Sequence, residues 1–253
     1  MQGEKSAKRK RHLYFILGHL GAKANAAEVE AIVTPALGRE KNGYTLAAIL
    51  GALRRLPQLR DASHVRALLK SSVAQVREAA ILALRGDRSG AAERDLLALV
   101  KRTKNRFERT YALQTLGEIG TAASIPAIAA LIHDRIVEVK CAAISALANV
   151  AGKAQQATFL DALGDKNPAA KAAAIFALQR HGDVRAAPKV AARVKTILRK
   201  ARPLEIIPSE LIAGLEFLSR HRRLPEARDA IEEAKRSGTL FADERRWVEA
   251  HLR

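Results

Sequence analysis

One motif returns at near-constant spacing through the middle of this chain: a basic residue, alanine three positions later, leucine seven positions later, and a closing glycine. It reads Arg77/Ala80/Leu84, Arg109/Ala112/Leu116, Lys140/Ala143/Leu147 and Lys171/Ala174/Leu178, closed by Gly86, Gly120, Gly152 and Gly182. The basic anchors step by 32, 31 and 31 residues. A period of that length marks a small helical unit that cannot bury its apolar face alone and therefore stacks against copies of itself. Such stacks display surfaces to partners more often than they house chemistry, so the expected function is binding.

The residues available suit this architecture. Hydrophobic residues make up 48% of the chain but aromatic ones only 4%, so the core is built from Ala, Leu, Ile and Val, which favours close helix packing. Shorter apolar segments, Ile125 to Ile132 being the clearest, lie between the glycine-ended helices, so each repeat is a first helix followed by an antiparallel second helix. Asn167 before Pro168 reads as an N-cap with a first-turn proline, and Pro126 and Pro188 fall near the starts of first helices, where a missing N–H costs little. Gly21, Gly120 and Gly182 each lie eleven residues after an anchor position and read as helix C-caps.

Weaker copies extend the register to Lys10/Leu13/Leu17, Leu46/Ile49/Leu53 and Leu211/Gly214/Leu218. The basic run from Lys8 to Arg11 ahead of Leu13–Leu17 has the outline of a secretory signal. His19 interrupts it, and Leu13, Ile16, Leu17 and Leu20 keep the spacing of an amphipathic helix, so these residues are assigned to a terminal repeat. The expected fold is all-α, a right-handed α-α superhelix of about seven helix pairs. A single domain over residues 1–253 would have degenerate repeats at 1–60, regular ones at 61–185, and degenerate repeats with a closing helix, carrying Trp247, at 186–253. No apolar run approaches the roughly 20 residues that cross a bilayer, and the one cysteine, Cys141, allows no internal disulfide. A soluble, cytoplasmic protein without membrane insertion is expected.

The string Ile125-Pro126-Ala127 through Asp134 to Val139-Lys140, then Ala143, Leu147 and Gly152, resembles the HEAT-like repeat of the phycobilisome-lyase type, and the likeness extends over roughly residues 60 to 185. The resemblance implies a scaffold for protein partners. It also implies that the aspartate six residues before an anchor, Asp134 with Lys140 and Asp165 with Lys171, belongs to a ladder of hydrogen bonds and charge pairs between neighbouring repeats. Ser71 and Thr103 take the aspartate's place in the two preceding repeats.

A formal charge of +18 gives the surface a strong positive field and points to an acidic partner. The outward positions of the second helices are mostly small or neutral, with Tyr111 and Phe176 the only aromatics, so the cations are expected along the turns at the edges. Lys101, Arg102, Lys104, Arg106 and Arg109 surround one turn. Arg185, Lys189, Arg193, Lys195, Arg199, Lys200 and Arg202 form a second cluster, with no acid from Val184 to Leu204. Lys189, Arg193 and Lys200 fall within about 40° of one another on a helix and are expected in solvent. Arg220, Arg222 and Arg223 form a third group, and Lys5, Lys8, Arg9, Lys10 and Arg11 a mobile N-terminal arm.

Catalytic signatures are missing. There is no HExxH, CxxC, P-loop or complete GxGxxG, and the seven histidines are scattered, so no metal, cofactor or small-molecule substrate is expected. HEAT-like alkyl-purine DNA glycosylases are similar in outline, but they hold the damaged base with tryptophans on the concave face, where this chain offers Tyr111 and Phe176 alone. The expected function is therefore a non-enzymatic adaptor whose basic edges hold an acidic macromolecule, foremost an acidic segment of another protein. Binding of DNA or RNA through its backbone is the alternative, and glycosylase activity a minor one.

Overall fold

The recurring alanines and leucines fall where a stacked helix needs them: Ala80, Ala112, Ala143 and Ala174, and Leu84, Leu116, Leu147 and Leu178, are all fully buried. Alanine at the tightest contact lets helix axes approach closely, and leucine one turn on fills the space beside it. The computed structural model describes residues 2–200 and 202–252, with side chains from residue 6 onward. Apart from an isolated bridge between Leu59 and Asp87, the described residues are helical or irregular. No helix among them is long and apolar enough to cross a membrane.

The chain forms two compact units that divide between Leu131 and Ile132. The first holds α1 (Gln2–Lys23), α2 (Ala26–Leu37), α3 (Gly43–Leu53), α4 (Ser63–Ala67), α5 (Ala74–Ala83), α6 (Ala91–Arg102), α7 (Arg106–Ile119) and α8 (Ile125–Ala129). Here α1 packs on α3, α3 on α5 and α5 on α7, making a layer of second helices backed by the first helices α2, α4 and α6. The second unit holds α9 (Val137–Ala151), α10 (Gln156–Ala162), α11 (Pro168–His181), α12 (Ala187–Leu198), α13 (Glu210–Arg220), α14 (Pro225–Arg236) and α15 (Ala242–His251). In it α9 packs on α11 and α11 on α13, while α12 packs on α14 in the other layer and α15 closes against α13 and α14. Each unit is thus an all-helical stack of antiparallel pairs, the HEAT-like solenoid pattern.

The start signals act as the sequence suggests. The Asn167 side chain accepts from the Ala169 N–H at 2.8 Å with Pro168 opening α11, and Pro126 and Pro188 stand in the first turns of α8 and α12. The glycines act differently. Gly120 and Gly182 do follow α7 and α11, but their backbone is extended (φ −66° and −70°) rather than left-handed, so they are not needed for an unusual dihedral. They are needed for room: a Cβ on Gly182 would lie 2.6 Å from the Leu178 carbonyl oxygen and 2.9 Å from the Phe217 ring, and one on Gly120 would meet the Leu116 carbonyl.

Gly21 is not a cap at all, because α1 runs on to Lys23. A Cβ there would meet Leu56 and Val29, and one on Gly18 would sit 2.7 Å from the Ala52 backbone. These two glycines therefore form the face of α1 that packs against α2 and α3. That choice corrects two expectations. The residues expected as a mobile basic arm are helical, with the Lys5 side chain outside the described residues, and Leu13, Ile16 and Leu20 face solvent instead of the core.

Candidate functional site

Part of the charge at the turns is committed to holding repeats together, and only what remains can bind. One ladder runs where first helices turn into second helices. Lys140 donates to Asp165 of the following repeat at 2.5 Å, with both side chains only 15% exposed, and Asp165 also accepts the Asn167 N–H at 2.7 Å. The Lys140 ammonium and then that N–H hold the Asp165 carboxyl below the usual carboxylate range despite its partial burial. Where the turn lacks the aspartate, the acceptor has moved: Arg77 pairs with Glu108 at 2.7 Å, and Thr103, standing at the aspartate position, donates to the same carboxylate at 2.7 Å. The resemblance thus located the ladder, while Glu108 supplies the acid in a place the motif does not contain.

A second ladder at the opposite turns has no counterpart in the sequence reading. Glu30 near the start of α2 accepts the Arg60 N–H at 2.7 Å. Glu93 in α6 accepts the Thr121 N–H at 2.8 Å and the Ser124 hydroxyl at 2.6 Å. Gln156 in α10 exchanges two hydrogen bonds with Asp183. All three side chains are buried, and each reaches 27 to 31 residues ahead into the next repeat's turn. Burial pushes the Glu93 carboxyl up, but the hydroxyl and N–H donors outweigh it and leave it below its ordinary value. The signal available in sequence was a carboxylate or amide early in each first helix, one period before a turn rich in N–H donors.

The second predicted cluster is largely neutralised. Arg185 pairs with Asp183 at 2.8 Å, Arg193 with Glu210 at 2.7 Å, Arg199 with Glu233 at 2.9 Å and Arg202 with Glu244 at 2.6 Å. Asp183 stands immediately before the acid-free stretch, and the other three acids are brought in by α13, α14 and α15, which is why a local count of charge missed them. Arg193, with 15% of its side chain exposed, is not in solvent, and Lys200 lies beyond the end of α12, so Lys189, Arg193 and Lys200 do not form one free face. Lys189, Lys195 and Lys200 have no carboxylate partner among the described residues.

The first cluster keeps more of its charge. Lys101, Arg102 and Lys104 are exposed and have no carboxylate partner among the described residues, the Arg106 guanidinium lies 4.7 Å over the Phe107 ring, and Arg109 is half-buried. Arg39, Lys41 and Lys70 sit exposed in the corresponding turns of the preceding repeats, so the cations follow one edge of the first unit. At the other edge the ends of α3, α5 and α7 enclose an open polar cleft of about 440 Å³ lined by Arg54, Arg55, Arg85, Arg88 and Glu118. Arg85 is paired with Glu118 at 2.7 Å, and Arg54, Arg55 and Arg88 have no carboxylate partner among the described residues. Sequence reasoning passed over this group because its two pairs, Arg54/Arg55 and Arg85/Arg88, stand 30 to 34 residues apart and look like isolated C-terminal helix cations.

The second helices carry little chemistry between these edges. Tyr111 and Phe176 are half-buried, and Ala142 and Gly86 are buried. Cys141 is half-buried, and burial pushes its thiol up, away from the thiolate a nucleophile needs. Among the described residues no group of His, Cys, Asp or Glu is arranged to hold a metal ion.

Paired helices in register, cross-linked repeat to repeat by turn ladders, define a helical-repeat protein, a class of interaction scaffold. The family model for HEAT repeats matches residues 128–201, which span α9 to α12 and include the Lys140–Asp165 rung. Comparison with curated proteins gives no match.

Proposed function

We propose that this chain is a non-enzymatic scaffold of HEAT-like repeats, of the type seen in the phycobilisome-lyase repeat, that holds an acidic segment of another protein against the turn edges of its first unit. The observation that carries the reading is the contrast between the units. In the second, the predicted cluster is largely engaged by intramolecular carboxylates through Arg185, Arg193, Arg199 and Arg202, whereas Arg39, Lys41, Lys70, Lys101, Arg102 and Lys104 in the first are exposed and lack such partners among the described residues. Like charges at that density repel, and a polyanion relieves the repulsion. HEAT repeats are typically scaffolds, and burial pushes the Cys141 thiol away from the thiolate a nucleophile needs.

Backbone binding of nucleic acid is the second reading, favoured by the net charge of +18. Fluorescence anisotropy with a Glu/Asp-rich peptide and with duplex DNA, each over a salt series, separates the two. About five phosphate contacts give a log–log salt slope near −4.5 for DNA. Lys101→Glu with Arg102→Glu and Lys104→Glu is expected to weaken peptide binding about tenfold or more with unchanged helix content. Peptide binding that ignores these reversals would reject this edge, and tight DNA binding with the steep slope but no peptide binding would favour the second reading.

A further inference from the structure

α1 turns an apolar stripe away from the stack. Leu13, Ile16 and Leu20 are 60%, 53% and 57% exposed. Together with Arg9 and Lys23 they recur at steps of four, three, four and three residues, so all five follow one face of the helix over about 21 Å. Phe15, on another side of the helix, is also exposed, its ring against His19 and beneath the Arg55 guanidinium. The helix cannot rotate to hide these side chains, because Gly18 and Gly21 on the opposite face leave no room for anything larger against Ala52, Val29 and Leu56. The exposed face of α1 is apolar between two cations.

The charges identify what covers it. The sequence of α1 contains Lys5, Lys8, Arg9, Lys10, Arg11 and Lys23 against a single acid, Glu4, and of the described cations only Lys10 has a carboxylate partner, Glu40 at 3.6 Å. A second copy of the helix laid along the stripe would set cation against cation in either direction. An anionic lipid surface satisfies both features: the leucines and isoleucine enter the boundary of the acyl region while the long cationic side chains at the ends reach the phosphates. We infer that α1 is an interfacial helix that docks this chain, lying flat, on bilayers rich in anionic phospholipid. This goes beyond the scaffold reading and uses a different surface.

The test is co-sedimentation of the full chain with vesicles of phosphatidylcholine alone and of phosphatidylcholine mixed with phosphatidylserine, at low and high salt. The wild type is expected on the mixed vesicles, with a residue of binding that survives salt. Leu13→Ser with Ile16→Ser and Leu20→Ser should weaken binding about a hundredfold, each side chain contributing roughly a fivefold factor, and leave binding of the acidic peptide unchanged. Arg9→Glu with Lys23→Glu should reduce vesicle binding as well. The single variant Ile16→Asn, expected to lose roughly fivefold, serves if the triple variant loses helix content. Vesicle binding untouched by the apolar substitutions would overturn the inference, since bulk charge alone would then explain it. So would failure to bind either vesicle, or a solution dimer that the substitutions convert to monomer.

Discussion

Arg202 offers the sharpest separation between a residue that binds a partner and one that holds the fold. Its guanidinium meets both oxygens of Glu244 at 2.6 Å, donates to the Thr239 carbonyl at 2.9 Å, and lies 4.5 Å over the Phe241 ring. Glu244 has only 2% of its side chain exposed and also accepts the Ser209 hydroxyl at 2.8 Å and the Phe241 N–H at 3.1 Å. Arg202→Ala strands that carboxylate with two of its donors. Removing one member of a buried pair costs about 3–5 kcal/mol, and because a fifth of the Arg202 side chain is exposed, water relieves part of the loss and the lower end, about 3 kcal/mol, is expected.

With a urea slope of roughly 2 kcal/mol/M, the unfolding midpoint should fall by about 1.5 M. Trp247, the only tryptophan in the chain, lies in α15 three residues from Glu244 and reports the transition by fluorescence. The pH dependence supplies a second check. Burial pushes the Glu244 carboxyl up, but the Arg202, Ser209 and Phe241 donors outweigh it, so its folded value lies below the ordinary 4.5. A carboxyl lowered on folding stabilises above its unfolded value and loses that contribution as the pH falls through the folded one. The gap between wild type and variant should therefore be full at neutral pH and close on acidification below about 4.5. A midpoint shift under about 0.3 M at neutral pH, or a full-sized gap that persists in acid, would refute the buried-pair account. Loss of acidic-peptide binding at unchanged stability would restore Arg202 as a contact residue.

Asp165→Asn removes the acid of the Lys140 rung and should cost about 1–3 kcal/mol in thermal unfolding at neutral pH. The deficit should shrink in acid, because the carboxyl is held low in the folded state by Lys140 and the Asn167 N–H; a deficit independent of pH would sink the ladder's electrostatic role. Gly182→Ala should destabilise by about 1–3 kcal/mol through overpacking against Leu178 and Phe217, read from the same melts. Its φ of −70° suits alanine, so a loss of only a few tenths would mean that α13 can step aside.

The core was legible in the sequence because burial is periodic. Alanine and leucine at fixed offsets from a basic anchor mark the inner face of each second helix whatever happens at the turns, and the weaker copies Ile49/Leu53 and Gly214/Leu218 are buried in the same register. What the pattern could not decide was the facing of α1, since it treats every apolar residue as inward; close approach at Gly18 and Gly21 outweighed the pull to bury Leu13 and Leu20. The charged residues were less legible for a different reason. Arg193 and Arg202 stand in an acid-free stretch, yet Glu210 and Glu244 reach them from helices 17 and 42 residues further on, and local charge counting sees neither. The arginine cleft escaped on the same ground, since Arg54, Arg85 and Glu118 meet only when helices stack.

The two turn ladders also constrain how a chain of this kind can lengthen. Each buried carboxylate finds its donors in the module that follows, Glu30 at Arg60 and Glu93 at Thr121 and Ser124, and Lys140 likewise donates forward to Asp165. Duplicating or excising a whole period re-creates a matched junction at the seam. A break of any other length leaves a carboxylate sealed in the interior opposite the wrong turn, so such chains should grow and shrink by entire modules.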